Sequence, residues 1–264
     1  MVEDFTGPYP IQSLCAFLGW DANDWKQIKT WASDLERAAL RNDTDLGQRT
    51  WSAWKAYIKS FIDARRTEPR EDVTSWLLQQ EREGAPLNDE TKISILRLLL
   101  HAGHGTTAAS VGICLLHLAC NPDLQEQLRT SPNLIPSTIE EILRCDGPLV
   151  SMPRRATRDT EIRGKKIKAG DKIALMFMAG NRDPEAFPVA DRCVINRKGN
   201  RTLLFGAGIH FCIGAPLARL ELRIALEEFL SRTKHFSLKE GASIRRFRWP
   251  GNGPRKLPLQ IEPA

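Results

Sequence analysis

The sequence lacks the features that mark secreted, membrane-spanning and nucleic-acid-binding proteins. Its N-terminus, MVEDFTGPYP, is acidic and contains prolines, unlike a signal peptide or an anchor. The most apolar stretch, residues 93–120, is interrupted by Arg97, His101 and His104, which favours a buried helix over a transmembrane one. Aromatic and basic residues do not interleave as in a nucleic-acid-binding surface. We therefore expect neither a membrane nor a nucleic-acid partner.

The sequence also lacks paired cysteines and has no repeat or low-complexity segment. Its six cysteines are scattered without a C-x-x-C pair, a pattern typical of reduced thiols in the cytoplasm. The net charge is +6, from 38 basic and 32 acidic residues. This charge would suit an acidic protein partner, although an ordinary basic surface explains it more simply.

Helical periodicity dominates the first half of the chain, and glycine turns separate short alternating segments after Gly147. A cap at Asn88 or Asp89 predicts a long helix that ends near Cys120. Shorter helices are predicted at 10–18, 21–40, 46–65 and 71–82, then behind Pro122, within SPNLIPSTIEEILRC and, as a final helix, after Cys212. The pattern predicts a mostly α fold with minor β structure.

The segment FGAGIHFCIG, residues 205–214, places Cys212 directly before the last predicted helix. The N-terminus of a helix favours a thiolate through its dipole and its free N–H groups, and Pro216 suits a first helical turn. The glycines allow the loop to fold tightly around the sulfur. Such a loop can hold a thiolate against a metal. Zinc would need three further ligands, of which only His210 is near, whereas haem iron needs one; an inert buried cysteine is the remaining alternative.

The pattern F-G-x-G-x-H-x-C-x-G resembles the haem-binding signature of the cytochrome P450 family, in particular its soluble bacterial branch. LLLHAGHGTTAAS resembles the oxygen-binding segment of the family's long central helix, and EEILR carries its E-x-x-R motif. RRATRD resembles the haem-propionate strand, and NRDPEAF with ADRC resembles the region that leads to the haem loop. The resemblance implies one P450-like domain over residues 1–264, with its haem-binding loop at 205–214.

The resemblance also implies roles for individual residues. Cys212 would be the metal ligand of haem b, and its thiolate would push electron density onto iron and favour O–O cleavage. His210 and Arg154 would pair with the haem propionates, unless Arg154 is an ordinary surface arginine. Phe205 would exclude water near the thiolate, and Thr106 would be the catalytic threonine. The cofactor-binding set would be His210, Arg154, Phe205, Gly206 and Ala102.

The E-x-x-R motif places Glu141 and Arg144 one helical turn apart. The resemblance implies that they pair with each other and with Arg192 and so brace the loop behind the haem. An exposed ion pair that contributes little is the alternative. Nearby, Cys193 stands where the family often has phenylalanine.

The central helix departs from the family's A-G-x-acid-T pattern, because Gly105 replaces the acid that relays protons. Thr106 is retained, so the delivery of protons is the affected step. His101, four residues before Gly105, is a replacement relay, a polar substrate contact or a core histidine.

The opening segment, DFTGPYPIQSLCAFLGW, resembles a segment well inside the family's usual sequence. We therefore expect a P450-like fold that lacks roughly its N-terminal third. The apolar surface left bare would then be covered by self-association or by a second polypeptide.

The leading interpretation is a cytoplasmic haem-thiolate monooxygenase. It would insert one oxygen atom of dioxygen into an apolar small molecule, with electrons from a ferredoxin or flavodoxin-type donor. The missing acid favours an alternative, a peroxide-driven enzyme that needs no dioxygen-linked proton relay. A truncated, non-catalytic haem-binding remnant or helper protein is the interpretation outside enzymes.

Overall fold

Helices dominate the computed structural model, which describes residues 1–248 and 251–264. Nine α-helices lie in these residues: α1 Pro8–Leu18, α2 Trp25–Arg41, α3 Thr44–Thr67, α4 Val73–Leu78, α5 Asp89–Ala119, α6 Pro122–Thr130, α7 Ile135–Cys145, α8 Phe177–Gly180 and α9 Ala215–Ser231. Shorter π or 3₁₀ turns lie at Val2–Thr6, Ala22–Asp24, Pro132–Leu134 and Gly208–His210.

The strands are short and form five separate two-stranded antiparallel sheets among the described residues. The pairs are β1 Glu81–Arg82 with β2 Ala85–Pro86, β3 Met152–Arg155 with β6 Lys172–Leu175, β4 Thr160–Ile162 with β5 Lys165–Ile167, β7 Thr233–Leu238 with β10 Leu259–Pro263, and β8 Arg246–Arg248 with β9 Asn252–Pro254. The prediction of a mostly α fold with minor β structure is confirmed.

One predicted helix is too long, and one group of strands was not predicted. The helix predicted over 71–82 spans only Val73–Leu78; the β1–β2 hairpin follows it and turns at Glu83 and Gly84, whose φ angles are positive, 56° and 78°. Helix α9 is the final helix, as predicted, but the four strands β7–β10 that follow it were not predicted. In β7, Phe236 is fully buried with its ring edge-on to Phe229 of α9, at 4.9 Å between centroids.

The chain divides into two compact units. The N-terminal unit comprises residues 3–108, and the C-terminal unit comprises residues 1–2 and 109–264. Helix α5 contributes residues 89–108 to the first and 109–119 to the second. The single domain predicted over residues 1–264 stays a prediction.

In the N-terminal unit, Gly19 ends α1 as predicted. It has a φ of +76°, and a Cβ there would lie 2.0 Å from a carboxylate oxygen of Asp72. Arg65 pairs with that carboxylate at 2.5 Å and also donates to the Gly19 carbonyl oxygen. This buried group joins the end of α1 to α3. The core of the unit includes Ile11, Leu18, Ile28, Trp54, Ile58, Leu96 and Leu100.

In the C-terminal unit, buried polar groups tie helices to the sheet β7–β10. The Gln125 amide of α6 donates to the backbone oxygens of Leu118 and Phe236 at 2.9 and 2.7 Å. The amide thereby satisfies main-chain acceptors that burial would otherwise leave unpaired. The core of the unit includes Ile113, Leu118, Leu128, Ile142, Leu143, Leu222, Leu226 and Phe236.

Helix α5 begins where the sequence predicts, because the Asn88 side chain accepts a hydrogen bond from the Thr91 N–H at 2.9 Å. The helix is long and apolar enough to cross a membrane by length and composition alone. Half of its most apolar window is buried within the protein, and core helices of soluble proteins satisfy the same criteria.

Candidate functional site

The loop at residues 205–214 closes tightly and places Cys212 just before α9. The Cys212 N–H donates to the Phe205 oxygen at 2.9 Å, and the Cys212 oxygen accepts from the Ala215 N–H at 3.2 Å. Gly206 and Gly208 have φ angles of +73° and +64°, a region that other residues rarely adopt. The positive φ angles explain why this loop needs glycine at those positions.

The sulfur of Cys212 lies close to the first turn of α9. Gly214 precedes the helix, Pro216 lies in its first turn, and the Ala218 N–H donates to the Gly214 oxygen at 2.9 Å. A Cβ at position 214 would lie in van der Waals contact with the Cys212 sulfur, at 3.8 Å, so the sulfur lies near the residue that precedes α9. The N-terminal end of the helix dipole favours negative charge at this position.

The Cys212 thiol is exposed, and large apolar side chains flank it. Ile209, Phe211 and Ile213 are 98%, 52% and 87% exposed. Contiguous exposed apolar side chains generally mark a surface that another molecule covers. A single thiol is a soft metal ligand, and apolar side chains surround this one. The arrangement therefore suits a large, flat, apolar ligand that contains a metal.

His210 and Arg154 are available to bind an anion. His210 is exposed at the end of the turn Gly208–His210. Arg154 lies in β3, opposite Ile173 of β6, and donates to the Pro153 oxygen at 2.8 Å. No carboxylate within residues 1–248 and 251–264 pairs with either side chain. Both can therefore donate charge-assisted hydrogen bonds to carboxylates of a ligand.

The Phe205 ring makes a cation–π contact with Arg219, which the sequence did not predict. The Arg219 guanidinium of α9 lies over the Phe205 ring at 4.5 Å from its centroid. Arg219 also donates to the Glu140 carboxylate of α7 at 2.6 Å. The contact links the start of the loop to two helices, and Phe205 is half-buried beneath it.

Glu141 and Arg144 form a fully buried, bidentate ion pair, with both hydrogen bonds at 2.9 Å. The predicted partner Arg192 is corrected. The second cation on Glu141 is Arg197, whose Nε lies 2.9 Å from the carboxylate, while Arg192 contributes only its backbone oxygen, which accepts from Arg144. Arg197 is 56 residues from Glu141 and lies in a non-helical segment, so no periodic spacing reveals it.

The pKa of Glu141 reflects these contacts. Burial opposes its ionisation, but hydrogen bonds from Arg144, the Val194 N–H and Arg197 outweigh burial and lower the pKa. The carboxylate is therefore charged at neutral pH. The Arg144 guanidinium also donates to the Asn181 and Ala190 oxygens at 2.7 and 2.8 Å, so the pair holds surrounding backbone in place.

Asn181 is a second residue that the sequence did not reveal. Its buried side-chain oxygen accepts from the Leu203 N–H at 2.6 Å and from the Thr202 hydroxyl at 3.3 Å. Its own backbone oxygen receives the Arg144 bond. Asn181 thus connects the Glu141–Arg144 pair to the residues that enter the loop at 205–214. Asn181 is the first residue of NRDPEAF, a segment that resembles the family sequence leading to the haem loop, and this resemblance was the indication of its role in the sequence.

In the N-terminal unit, α5 brings Ala102 and Thr106 together. The Thr106 hydroxyl donates to the Ala102 oxygen one turn earlier, at 2.9 Å. Leu98, Ala102 and Gly105 are exposed, and a Cβ at Gly105 would meet no atom within 4 Å. A side chain at position 105 would therefore have room.

The two histidines of α5 differ. His104 is hydrogen-bonded to the Leu100 oxygen at 2.8 Å, and burial lowers its pKa, so a neutral ring is favoured. The Nδ1 atom of His101 is buried without a hydrogen-bond partner in the described part of the chain. The alternatives for His101 therefore stay open.

The predicted site residues thus fall into groups. The loop brings together Cys212, His210, Phe205 and Gly206, while Arg154 lies in the β3–β6 sheet of the same unit. Ala102 and Thr106 belong to the N-terminal unit. Their roles toward a cofactor stay predictions.

Comparison with known proteins identifies the class to which this fold and loop belong. The profile of the family described as Cytochrome P450 matches residues 20–131 and 133–261. The chain therefore belongs to the cytochrome P450 family.

Individual relatives are bacterial. A cytochrome P450 of Bacillus subtilis (strain 168) is 36% identical over 96% of this chain and 62% of the relative. The mycinamicin IV hydroxylase/epoxidase of Micromonospora griseorubida is 34% identical over 98% of this chain and 66% of the relative. The crystal structure of CYP109E1 from Bacillus megaterium in complex with testosterone has a TM-score of 0.91 and 32% identity, covering 99% of this chain and 71% of that chain. The chain thus spans less than two thirds of these two curated relatives.

The residues of the C-terminal unit fit the haem that the family implies. The donor set is a single exposed thiol at a helix N-terminus, which suits iron with one protein ligand and does not suit a four-ligand zinc site. The flanking apolar side chains suit a porphyrin, and His210 with Arg154 suits its carboxylates.

Proposed function

We propose that this chain carries the haem-binding centre of a haem-thiolate monooxygenase. The observation that supports this most strongly is the exposed Cys212, whose N–H donates to the Phe205 oxygen and whose own oxygen accepts from the N–H of Ala215, the first residue of α9. The enzyme would insert one oxygen atom of dioxygen into an apolar small molecule. Membership of the cytochrome P450 family supports this reaction class.

The loop would bind and orient the cofactor. Cys212 would ligate iron as a thiolate, which the dipole of α9 favours. His210 and Arg154 would donate hydrogen bonds to the propionates, and Phe205, packed beneath Arg219, would keep water from the sulfur. Bound haem supplies the activation of dioxygen in such a site.

Helix α5 would serve the substrate side of the chemistry. Thr106 would hold water at its hydroxyl, and Ala102 would allow close approach of the cofactor. The exposed Leu98 offers apolar surface on the same helix. One relative is named for mycinamicin IV hydroxylation and epoxidation, and another was crystallised with testosterone, which supports a small organic molecule as the substrate.

The electron donor would be an acidic ferredoxin or a flavodoxin-type protein, and the chain's net charge of +6 is compatible with such a partner. We place this reaction in the cytoplasm. The six free cysteines are compatible with a reducing compartment.

A second candidate is peroxide-driven oxidation by the same centre. The open space at Gly105 favours it, since no acid stands there to relay protons. Peroxide brings oxygen that is already reduced, so this route depends less on a relay.

The test of the haem-thiolate centre is the spectrum of the reduced carbon monoxide complex. We expect purified protein to show the red-shifted Soret band of thiolate ligation, and Cys212→Ala to lose it. Cys120→Ala is the matched control, because Cys120 is the other exposed cysteine, and it should leave the band unchanged. A band that persists in Cys212→Ala would refute the assignment.

A further inference from the structure

Two cysteines meet beside the buried ion pair of the C-terminal unit. Cys145 is the last residue of α7, and Cys193 lies in the non-helical segment that packs on this helix. Their sulfur atoms and a carboxylate oxygen of Glu141 all lie within 4.8 Å of one another. Both thiols are half-buried and neither is in a disulfide.

A metal ion is a poor occupant for this cluster, because cations already use its acceptors. Arg144 donates to the Cys145 sulfur at 2.9 Å and to both oxygens of Glu141. Arg197 donates to one of these oxygens at 2.9 Å, and the Asn200 amide donates to the other at 3.2 Å. A divalent ion would have to displace these donors and then lie beside two guanidinium groups.

The two thiols differ in acidity. Hydrogen bonding with Cys193, together with the charge of Arg144, lowers the pKa of Cys145 to about 7 against the effect of burial. The same hydrogen bond and burial raise the pKa of Cys193. Near pH 7 a substantial fraction of the molecules, about half at a pKa of about 7, therefore carries a thiolate at Cys145, while Cys193 stays protonated.

Small molecules can reach the pair from one side. Cys193 lines an open groove of about 630 Å³ in the C-terminal unit, together with His117, Cys120 and Arg192. Cys120 lies on the same groove and is exposed. Cys145 is not part of the groove lining, but its sulfur lies within 4.8 Å of the Cys193 sulfur, so hydrogen peroxide that enters beside Cys193 comes close to the Cys145 sulfur as well.

We propose that Cys145 and Cys193 form a reversible disulfide when hydrogen peroxide is the oxidant. The Cys145 thiolate attacks the peroxide O–O bond and becomes a sulfenic acid, while the leaving hydroxide takes up a proton to give water. The Cys193 sulfur, on losing its proton, attacks the sulfenic sulfur and expels a second water. Two thiols are oxidised by two electrons, and one peroxide is reduced to two waters.

The disulfide would alter the surroundings of the buried ion pair. Oxidation removes the thiolate to which Arg144 donates and links α7 covalently to the segment that contains Cys193. That segment supplies the Val194 N–H and the Arg197 side chain to Glu141. The oxidation state is thereby coupled to the cluster that braces the approach to the loop at 205–214.

The experiment treats the purified, haem-loaded protein with hydrogen peroxide, blocks the remaining thiols and maps peptides without reduction. We expect a peptide pair joined through Cys145 and Cys193, lighter than the two reduced peptides by two hydrogen atoms and separated by dithiothreitol. Cys193→Ser should leave a Cys145 sulfenic acid that dimedone traps. Cys120→Ser is the matched control and should form the disulfide as the wild type does.

Two outcomes would overturn the proposal. One is a Cys120–Cys193 disulfide in place of the Cys145–Cys193 disulfide. The other is that Cys145 and Cys193 stay reduced, and are therefore alkylated, at peroxide concentrations that already oxidise the exposed Cys120. Peptide mapping reports the thiols directly, so the result does not depend on the proposed monooxygenase activity or on the ligation of Cys212.

The pH dependence provides a second measurement. The rate of Cys145 oxidation should rise between pH 6 and pH 8 with a midpoint near the pKa of about 7, since the thiolate is the nucleophile. The charged groups that act on Cys145 are Arg144, Arg182 and Glu141, with the Cys193 thiol. A rate that is flat across this range would contradict the assignment of Cys145 as the attacking sulfur.

Discussion

Replacement of Glu141 by glutamine should lower the free energy of unfolding by about 3–5 kcal/mol, the usual cost of breaking a buried ion pair from one side. Glu141 is fully buried and accepts hydrogen bonds from Arg144, Arg197 and the Val194 N–H. Glutamine leaves two guanidinium groups without a counter-charge and turns a donor toward them. Urea unfolding followed by far-ultraviolet circular dichroism measures the loss.

The neighbouring Glu140 is the matched control. It pairs with Arg219 at 2.6 Å, but the Arg219 side chain is 47% exposed, so solvent screens the interaction. Glu140→Gln should therefore change the free energy of unfolding by less than about 1 kcal/mol. Equal effects of the two substitutions would show that the buried cluster has no special structural role.

The same contacts predict how stability depends on pH. The folded state lowers the pKa of Glu141, so its contribution is complete above the unfolded value of about 4.3. The contribution is lost as pH falls through the lower folded pKa. The difference in unfolding free energy between wild type and Glu141→Gln should thus be constant near neutral pH and shrink below about pH 4. A difference that grows on acidification would contradict the lowered pKa.

The sequence predicted correctly those helix ends and turns that are determined by residues close to them in sequence. Gly19 ends α1 because only a glycine tolerates its φ of +76° beside Asp72. The Asn88 side chain begins α5, and Cys212 precedes α9 within a loop whose glycines need positive φ. Caps, glycine turns and apolar periodicity are visible within a few residues of sequence.

The features that were missed depend on contacts between distant segments. Arg197 replaces the predicted Arg192 as the second cation on Glu141, 56 residues away in sequence. Arg219 covers Phe205 from another helix, and Cys145 meets Cys193 only once α7 packs on the later segment. Neither helical nor strand periodicity contains this information, because the spacing is set by the fold. Strand β10 also pairs with the distant β7 and not with its sequence neighbour β9.

Introduction of an acid at Gly105 should raise the product formed per electron pair in electron-driven turnover. If the proposed dioxygen chemistry operates, Thr106 alone must organise the water that delivers protons, and a positioned acid typically contributes about 10²–10⁴-fold. The structure has room for the side chain, since a Cβ at Gly105 meets no atom within 4 Å. Gly105→Glu and Gly105→Asp should therefore increase coupling, and the electron-driven rate should rise by up to about 10²-fold. The measurement is product per NADPH consumed with a surrogate ferredoxin and reductase.

Gly105→Gln is the matched control, because it restores the side chain and the helix propensity without an ionisable group. Replacing a glycine within a helix contributes about 0.5–1 kcal/mol of stability, so the Glu and Gln variants should share any gain in melting temperature. Only the glutamate should raise coupling, and peroxide-driven turnover should respond much less to either substitution. A wild-type protein that is already well coupled would show that Gly105 is no defect and would turn attention to His101 as the relay. Haem binding by wild type and variants without turnover by either oxidant would instead favour a non-catalytic haem-binding protein.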